Sequence, residues 1–274
     1  MSLILVLKII LVPSIIGGVT LAGRRWGPDV AGWLSAFPVV SAPLLWFIAM
    51  EQGAPFAADA SAATLSAVLA ILVFGVSYAW AALRYSWTIS LLFSFICYLL
   101  AVAALNAWAP SLMVAALSVF LALVLVPSIY PTPPDTEEST KSTARHDIWL
   151  RMLTGAALVV IVTQFSAQLG SRLSGLFAMF PAIGLVLTVF SHINAGKAFT
   201  IKQLRSMVFG YYAFAAFCLV LALVLPHTNI AAAFSLALTT ALAIQCLSRI
   251  YLRRAVVNAP QTAVLIEVPA TTPK

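Results

Sequence analysis

Apolar runs, each close to the roughly 20 residues needed to cross a bilayer, alternate with short polar breaks along the chain. They fall at 3–22, 30–50, 60–82, 87–107, 110–129, 149–169, 173–192, 203–225 and 229–250, which predicts nine transmembrane helices. The breaks are "GRRWGPD", "EQGAPFAAD", "LRYS", "NAWAP", "YPTPPDTEESTKSTARHD", "LGSR", "NAGK" and "LPHTN". The first run carries Lys8 and lacks both a basic leader and a convincing small-residue cleavage site, so it reads as a retained helix, not a cleaved signal.

Charge in the breaks orients these spans, because Lys and Arg in short loops favour the cytoplasmic side. With the N-terminus outside, the inner loops hold Arg24, Arg25, Arg84, Lys141, Arg145, Arg151, Lys197, Lys202, Arg205, Arg249, Arg253 and Arg254. Outside there is almost only Arg172, and Lys8 is close enough to its helix end to snorkel. An outer N-terminus, a cytoplasmic C-terminus and an odd number of spans agree with one another.

Sliding the chain by 143 residues without gaps pairs Gly27 with Gly170, Gly32 with Gly175, Phe37 with Phe180, Pro38 with Pro181 and Gly53 with Gly196. Leucine and phenylalanine matches mean little between two apolar segments; glycines and prolines in register mean more. The offset pairs the first four spans with the last four and leaves the fifth unpaired, which inverts the second unit. The expected fold is an all-α polytopic membrane protein built as a four-plus-one-plus-four inverted repeat, an arrangement common among secondary transporters. Its parts would be a first repeat at 1–108, a connecting helix at 109–130, a cytoplasmic linker at 131–148, a second repeat at 149–252 and a tail at 253–274.

Proline removes a backbone donor and clashes with the carbonyl four residues earlier. Pro38 and Pro181 therefore predict kinks in the second and seventh helices. Counted from Val30 and Leu173, both fall about 12 Å into a core about 30 Å thick, near its middle. Irregular backbone at that depth belongs where protein buries it or water reaches it, although proline is also frequent in membrane helices for packing alone. The expected site gathers Gly32, Ser35, Phe37, Pro38, Ser41, Gln164, Gly175, Phe180, Pro181, Thr188, Tyr211 and Gln245 as substrate-binding or gating residues. For Gln164 and Gln245, hydrogen bonding between helices stands beside substrate contact.

Composition narrows the function. The chain is 62% hydrophobic and 8% charged, with a mean hydropathy of +1.04, where soluble domains carry about 25% charged residues. The net charge of +7 comes from residues scattered among loops, so anchoring explains it and nucleic acid is not an expected partner. No carboxylate lies mid-span, which argues against proton exchange built on a membrane glutamate. Cys97, Cys218 and Cys246 lie in apolar runs without metal-ligand spacing, and His146, His192 and His227 are dispersed. Neither catalysis, a metal nor a cofactor is expected.

"GLFAMFPAIGL", followed by Gly196 and by Gln203 to Arg205, resembles the GlpM family of small bacterial inner-membrane proteins with four predicted helices. The likeness covers mainly Gly175 to Phe217; the first half shares Gly32, Phe37 and Pro38 but carries Trp33 and Pro43 where the pattern differs. It implies two such units fused in opposite orientation in a bacterial inner membrane, and it brings no catalytic or binding residues. The leading expectation is a transporter or facilitator of a small neutral or amphipathic molecule. The alternative is a non-transporting subunit of an envelope polysaccharide or lipid assembly, docking through the linker or tail. Beyond lipid and a solute, a homo-oligomer is compatible with this pattern.

Overall fold

The computed structural model describes residues 3–134, 146–166 and 182–257. Among these, every regular element is a helix: α1 (Leu3–Trp26), α2 (Pro28–Ser35), α3 (Ser41–Gln52), α4 (Ala54–Arg84), α5 (Trp87–Trp108), α6 (Leu112–Ile129), α7 (His146–Ser166), α8 (Ala182–Val224) and α9 (Ile230–Val257). Within the described residues, six helices are long and apolar enough to cross a membrane: α1, α4, α5, α6, α8 and α9.

Side-chain burial matches a lipid surround. On α5, Ser90, Ser94 and Tyr98 are buried at four-residue intervals, while Leu92, Phe93, Ile96 and Leu100 face outward. On α6, Ala115, Ala116 and Val119 are buried, whereas Met113, Leu117, Leu121 and Val124 are exposed. Small and polar residues at the seams with large apolar ones outside would leave a broad sticky surface in water; in hydrocarbon the same pattern lets helices approach closely. The chain is thus an α-helical, multi-pass membrane protein.

The expected second span, 30–50, is not one kinked helix. It is broken into α2 and α3, with Ala36 to Val40 outside both. Eight residues reach about 12 Å and twelve about 18 Å, so only end to end do the two match a core of about 30 Å. The polar break expected at "EQGAPFAAD" shrinks to Gly53, which joins α3 directly to α4 with φ 91°. Likewise the "NAGK" break is a single turn at Gly196, φ 84°, dividing α8 into a first arm up to Ala195 and a long second arm from Lys197. Positive φ strains any residue with a Cβ, so glycine permits these one-residue turns. Hydropathy could not distinguish them from loops, since Glu51, Asp59 and Lys197 simply lie on the flanking helices.

Two antiparallel seams organise the bundle. Along the first, Ser61 Oγ of α4 donates to Cys218 O at 3.0 Å, a Cβ on Gly75 would sit 3.9 Å from Leu204 Cδ2, and Lys197 Nζ donates to Leu83 O at 3.1 Å. Advancing along α4 thus means retreating along the second arm of α8. Along the second seam, a Cβ on Gly155 of α7 would meet Ile16 and lie 3.8 Å from Val12 Cγ1, and one on Gly17 would lie 3.2 Å from Met152 Sδ. Here α1 and α7 also run in opposite directions.

Candidate functional site

Pro38 cannot donate to Leu34 O, and its ring would collide there if α2 continued. The chain leaves the helix at Ser35, whose Oγ donates to Gly32 O at 2.8 Å. Phe37 N would reach Trp33 O in an unbroken helix, but bonds Leu34 O at 3.3 Å instead. From α9, Gln245 Nε2 donates to Trp33 O at 2.9 Å. Trp33 Nε1 donates to Ser248 Oγ at 2.9 Å, and Ser248 Oγ donates to Gln245 O at 2.9 Å. Ala42 N donates to Pro38 O at 3.0 Å, where α3 restarts. A neighbouring helix thus supplies the donor that the break takes away.

The broken segment is seated on α8 backbone to backbone. A Cβ on Gly32 would strike Gln203 O and lie 3.0 Å from both Met207 N and Ser206 Cβ. From the other side, a Cβ on Gly210 would lie 2.5 Å from Trp33 O and 2.6 Å from Ala36 Cβ. At the start of α2, Ser206 Oγ donates to Asp29 Oδ1 at 2.6 Å. Gln203, Ser206, Met207 and Gly210 make a three-to-four-residue spacing, one face of a helix, and that face carries the seat.

A small cavity lies where α4, the end of α6 and both arms of α8 meet, lined among others by Gly75, Tyr130, Gly184, Thr188, Met207 and Tyr211. Its water-accessible volume is about 10 Å³, room for about one water. Thr188 Oγ1 donates to Gly184 O at 2.6 Å, which leaves its lone pairs able to accept. Burial pushes the Tyr130 phenol up, and Tyr211 nearby adds to the rise, so Tyr130 stays a neutral hydroxyl. The cavity therefore offers uncharged hydrogen-bonding groups.

No protein-family model, curated protein or solved structure matches this chain. The site must be argued from its own geometry.

The expected site residues fall into two groups. Gly32, Ser35, Phe37, Pro38 and Ser41 lie at or beside the break between α2 and α3, and Gln245 joins them as a packing donor. Thr188 and Tyr211 line the cavity. Met207 links the two groups, its backbone against Gly32 and its residue at the cavity wall. Gly175, Phe180 and Pro181 lie outside the described residues; Gln164 is on α7, but its side chain lies outside them too.

Besides the seat residues Gln203, Ser206 and Met207 and the partners Asp29, Trp33 and Ser248, four contributors to the seat and cavity were missed. Gly75, Gly184 and Gly210 are small residues in apolar runs without local signal, and Tyr130 looked like the start of a loop. Arg151, expected as a loop charge, is 5% exposed. Arg151 lies within α7, with its guanidinium 5.3 Å from the Phe190 ring centroid. On the cavity side of the bundle, Tyr78 Oη and His192 Nδ1 are 3.1 Å apart. Among the described residues, no three His, Cys, Asp or Glu gather as a metal site.

Proposed function

We infer that the chain is a secondary transporter or facilitator of a small, neutral or amphipathic molecule, working by alternating access between two inverted repeats. One observation carries this reading: helices related by the 143-residue offset pack antiparallel against each other. A Cβ on Gly155 would lie 3.8 Å from Cγ1 of Val12, its own counterpart under that offset. The hydrogen bond of Ser61 to Cys218 and the approach of Leu204 to within 3.9 Å of where a Gly75 Cβ would sit exchange into one another under the same shift. Such reciprocity is what a twofold axis relating the two halves would produce, and it supports that reading. An axis along the membrane normal would keep counterparts parallel, whereas an axis in the membrane plane reverses them.

Element boundaries support the same correspondence. The starts of α5 and α9 and the turns at Gly53 and Gly196 each differ by 143 residues. On this reading the chain consists of two GlpM-like units in opposite orientations, with α6 as the connecting helix. The uncharged hydroxyls of Tyr130, Thr188 and Tyr211 favour a neutral solute over an ion. Because the cavity holds about one water, anything larger needs the arms of α8 to part from α4.

Uptake of neutral solutes into proteoliposomes tests this function. The wild type is expected to conduct at least one small hydroxylated solute, and Pro38→Ala combined with Pro181→Ala is expected to slow it. No flux across a broad panel, or flux unchanged by the double substitution, would overturn it. In the absence of flux, a stoichiometric partner lost on deleting the 131–148 linker would turn the assignment toward the subunit role.

A further inference from the structure

Residues 114 apart in sequence keep company along α4 and the first arm of α8. Phe74 and Thr188 both line the cavity, Tyr78 Oη lies within hydrogen-bond distance of His192 Nδ1, and Lys197 Nζ donates to Leu83 O. The two stretches therefore run side by side in the same direction, from the cavity toward the end of α4 at Arg84. Tyr78 and His192 each stand one helical turn, about 6 Å, beyond a cavity-lining residue. The Tyr78 ring packs on Phe74 at 5.9 Å between centroids and meets the His192 ring edge-on at 5.8 Å. Exposure rises along this column: Thr188 and Tyr78 are 0% exposed, His192 is half-buried and Lys197 is exposed. Polar side chains thus continue from the buried cavity to one face of the bundle, and the bond between Tyr78 and His192 spans the two helices partway along.

We propose that Tyr78 and His192 form the gate through which a hydroxyl-bearing neutral solute passes between the cavity and the Arg84 face, an inference that rests on the transport reading above. A bond between side chains of two helices is made only while those helices stay together, and one neutral hydrogen bond biases such an equilibrium by about three- to tenfold. The phenol can donate or accept, and so can the imidazole Nδ1, according to its tautomer. A solute hydroxyl does both, so it can insert between Oη and Nδ1 and replace one bond by two. An ether oxygen only accepts, and it leaves one member of the pair without a partner.

Thr188→Cys reads the gate when Cys97, Cys218 and Cys246 are changed to Ser, which leaves one thiol, at the cavity wall. The full chain in oriented vesicles is treated from either face with a charged, membrane-impermeant methanethiosulfonate. Tyr78→Phe keeps the ring and removes the hydroxyl; it is expected to speed labelling from the Arg84 face by about three- to tenfold and to leave labelling from the opposite face unchanged. His192→Leu should do the same without adding to Tyr78→Phe, and His192→Asn, whose Oδ1 can stand in for Nδ1, should restore most of the closure. Protein-dependent uptake of erythritol is expected to exceed that of its O-methylated analogue, by a margin that narrows in Tyr78→Phe. Equal uptake of the two would sink hydroxyl insertion. Labelling unchanged by both Tyr78→Phe and His192→Leu would overturn the gate and leave a packing bond, while solute flux in the wild type would still uphold transport. Faster labelling without flux of any solute would overturn the transport reading, and with it the role of the pair in solute passage.

Discussion

Gly32 and Gly75 both face the second arm of α8, and both leave out a Cβ for a reason, but the reasons differ. What a side chain at Gly32 would strike is backbone: Gln203 O and Met207 N, fixed within a helix. What one at Gly75 would strike is the far end of a side chain, the Tyr130 hydroxyl, with Leu204 at 3.9 Å behind it. Tyr130 lies just past the end of α6, and the atom met is the tip of its side chain, not helical backbone. One glycine thus makes a rigid seat and the other an adjustable gap. The broken segment is held against backbone of the arm, while at the cavity wall the nearest obstacle is a side-chain tip.

The sharpest test of this contrast uses the same substitution at both positions. Alanine is the better helix former by about 1 kcal/mol, so any loss reflects packing. Gly32→Ala is expected to destabilise by about 2 kcal/mol after that gain, since overpacking against backbone has no local relief. Thermal unfolding in detergent reads it, and an unchanged Tm would remove the rigid seat.

A smaller effect, about 1 kcal/mol, is expected from Gln245→Leu. The substitution deletes the donor to Trp33 O, but it also deletes Gln245 Oε1, which is buried without a partner among the described residues. Because Phe37 N can return to Trp33 O once the helix is allowed to continue, the penalty should shrink in a Pro38→Ala background. Additive losses in that double-substitution cycle would mean the glutamine does not serve the break.

Smallest of all should be Gly75→Ala, within about 0.5 kcal/mol of the wild type, with the helix-propensity gain offsetting displacement of Tyr130. Adding Tyr130→Phe, which removes the displaced hydroxyl, should restore any loss. A fall as large as that at Gly32, not relieved by Tyr130→Phe, would make both contacts equally rigid.

Much of this arrangement was legible from local chemistry. Pro38 announced an interruption because a missing donor and a ring clash act within one turn, whatever the surroundings. Its severity was not legible: whether the chain bends or breaks depends on Gln245, more than two hundred residues away, offering a replacement donor. Glycines at 53 and 196 were visible as a matched pair, but hydropathy counted their charged neighbours as loop. Tyr130 escaped notice because its role comes from Gly75 leaving space on another helix. Arg151 was counted only for the sign of its charge; its burial near Phe190 depends on α8 packing beside α7.

The turns at Gly53 and Gly196 have no spare residue on either side. A longer loop would soak up a displacement; an elbow this short hands it on. Any tilt of α3, or of the first arm of α8, must reach the long rod beyond it as a swivel about a fixed pivot. One pivot lies beside the Ala54 end of α4 and the other beside Leu83, so the bundle carries a crank at each membrane face.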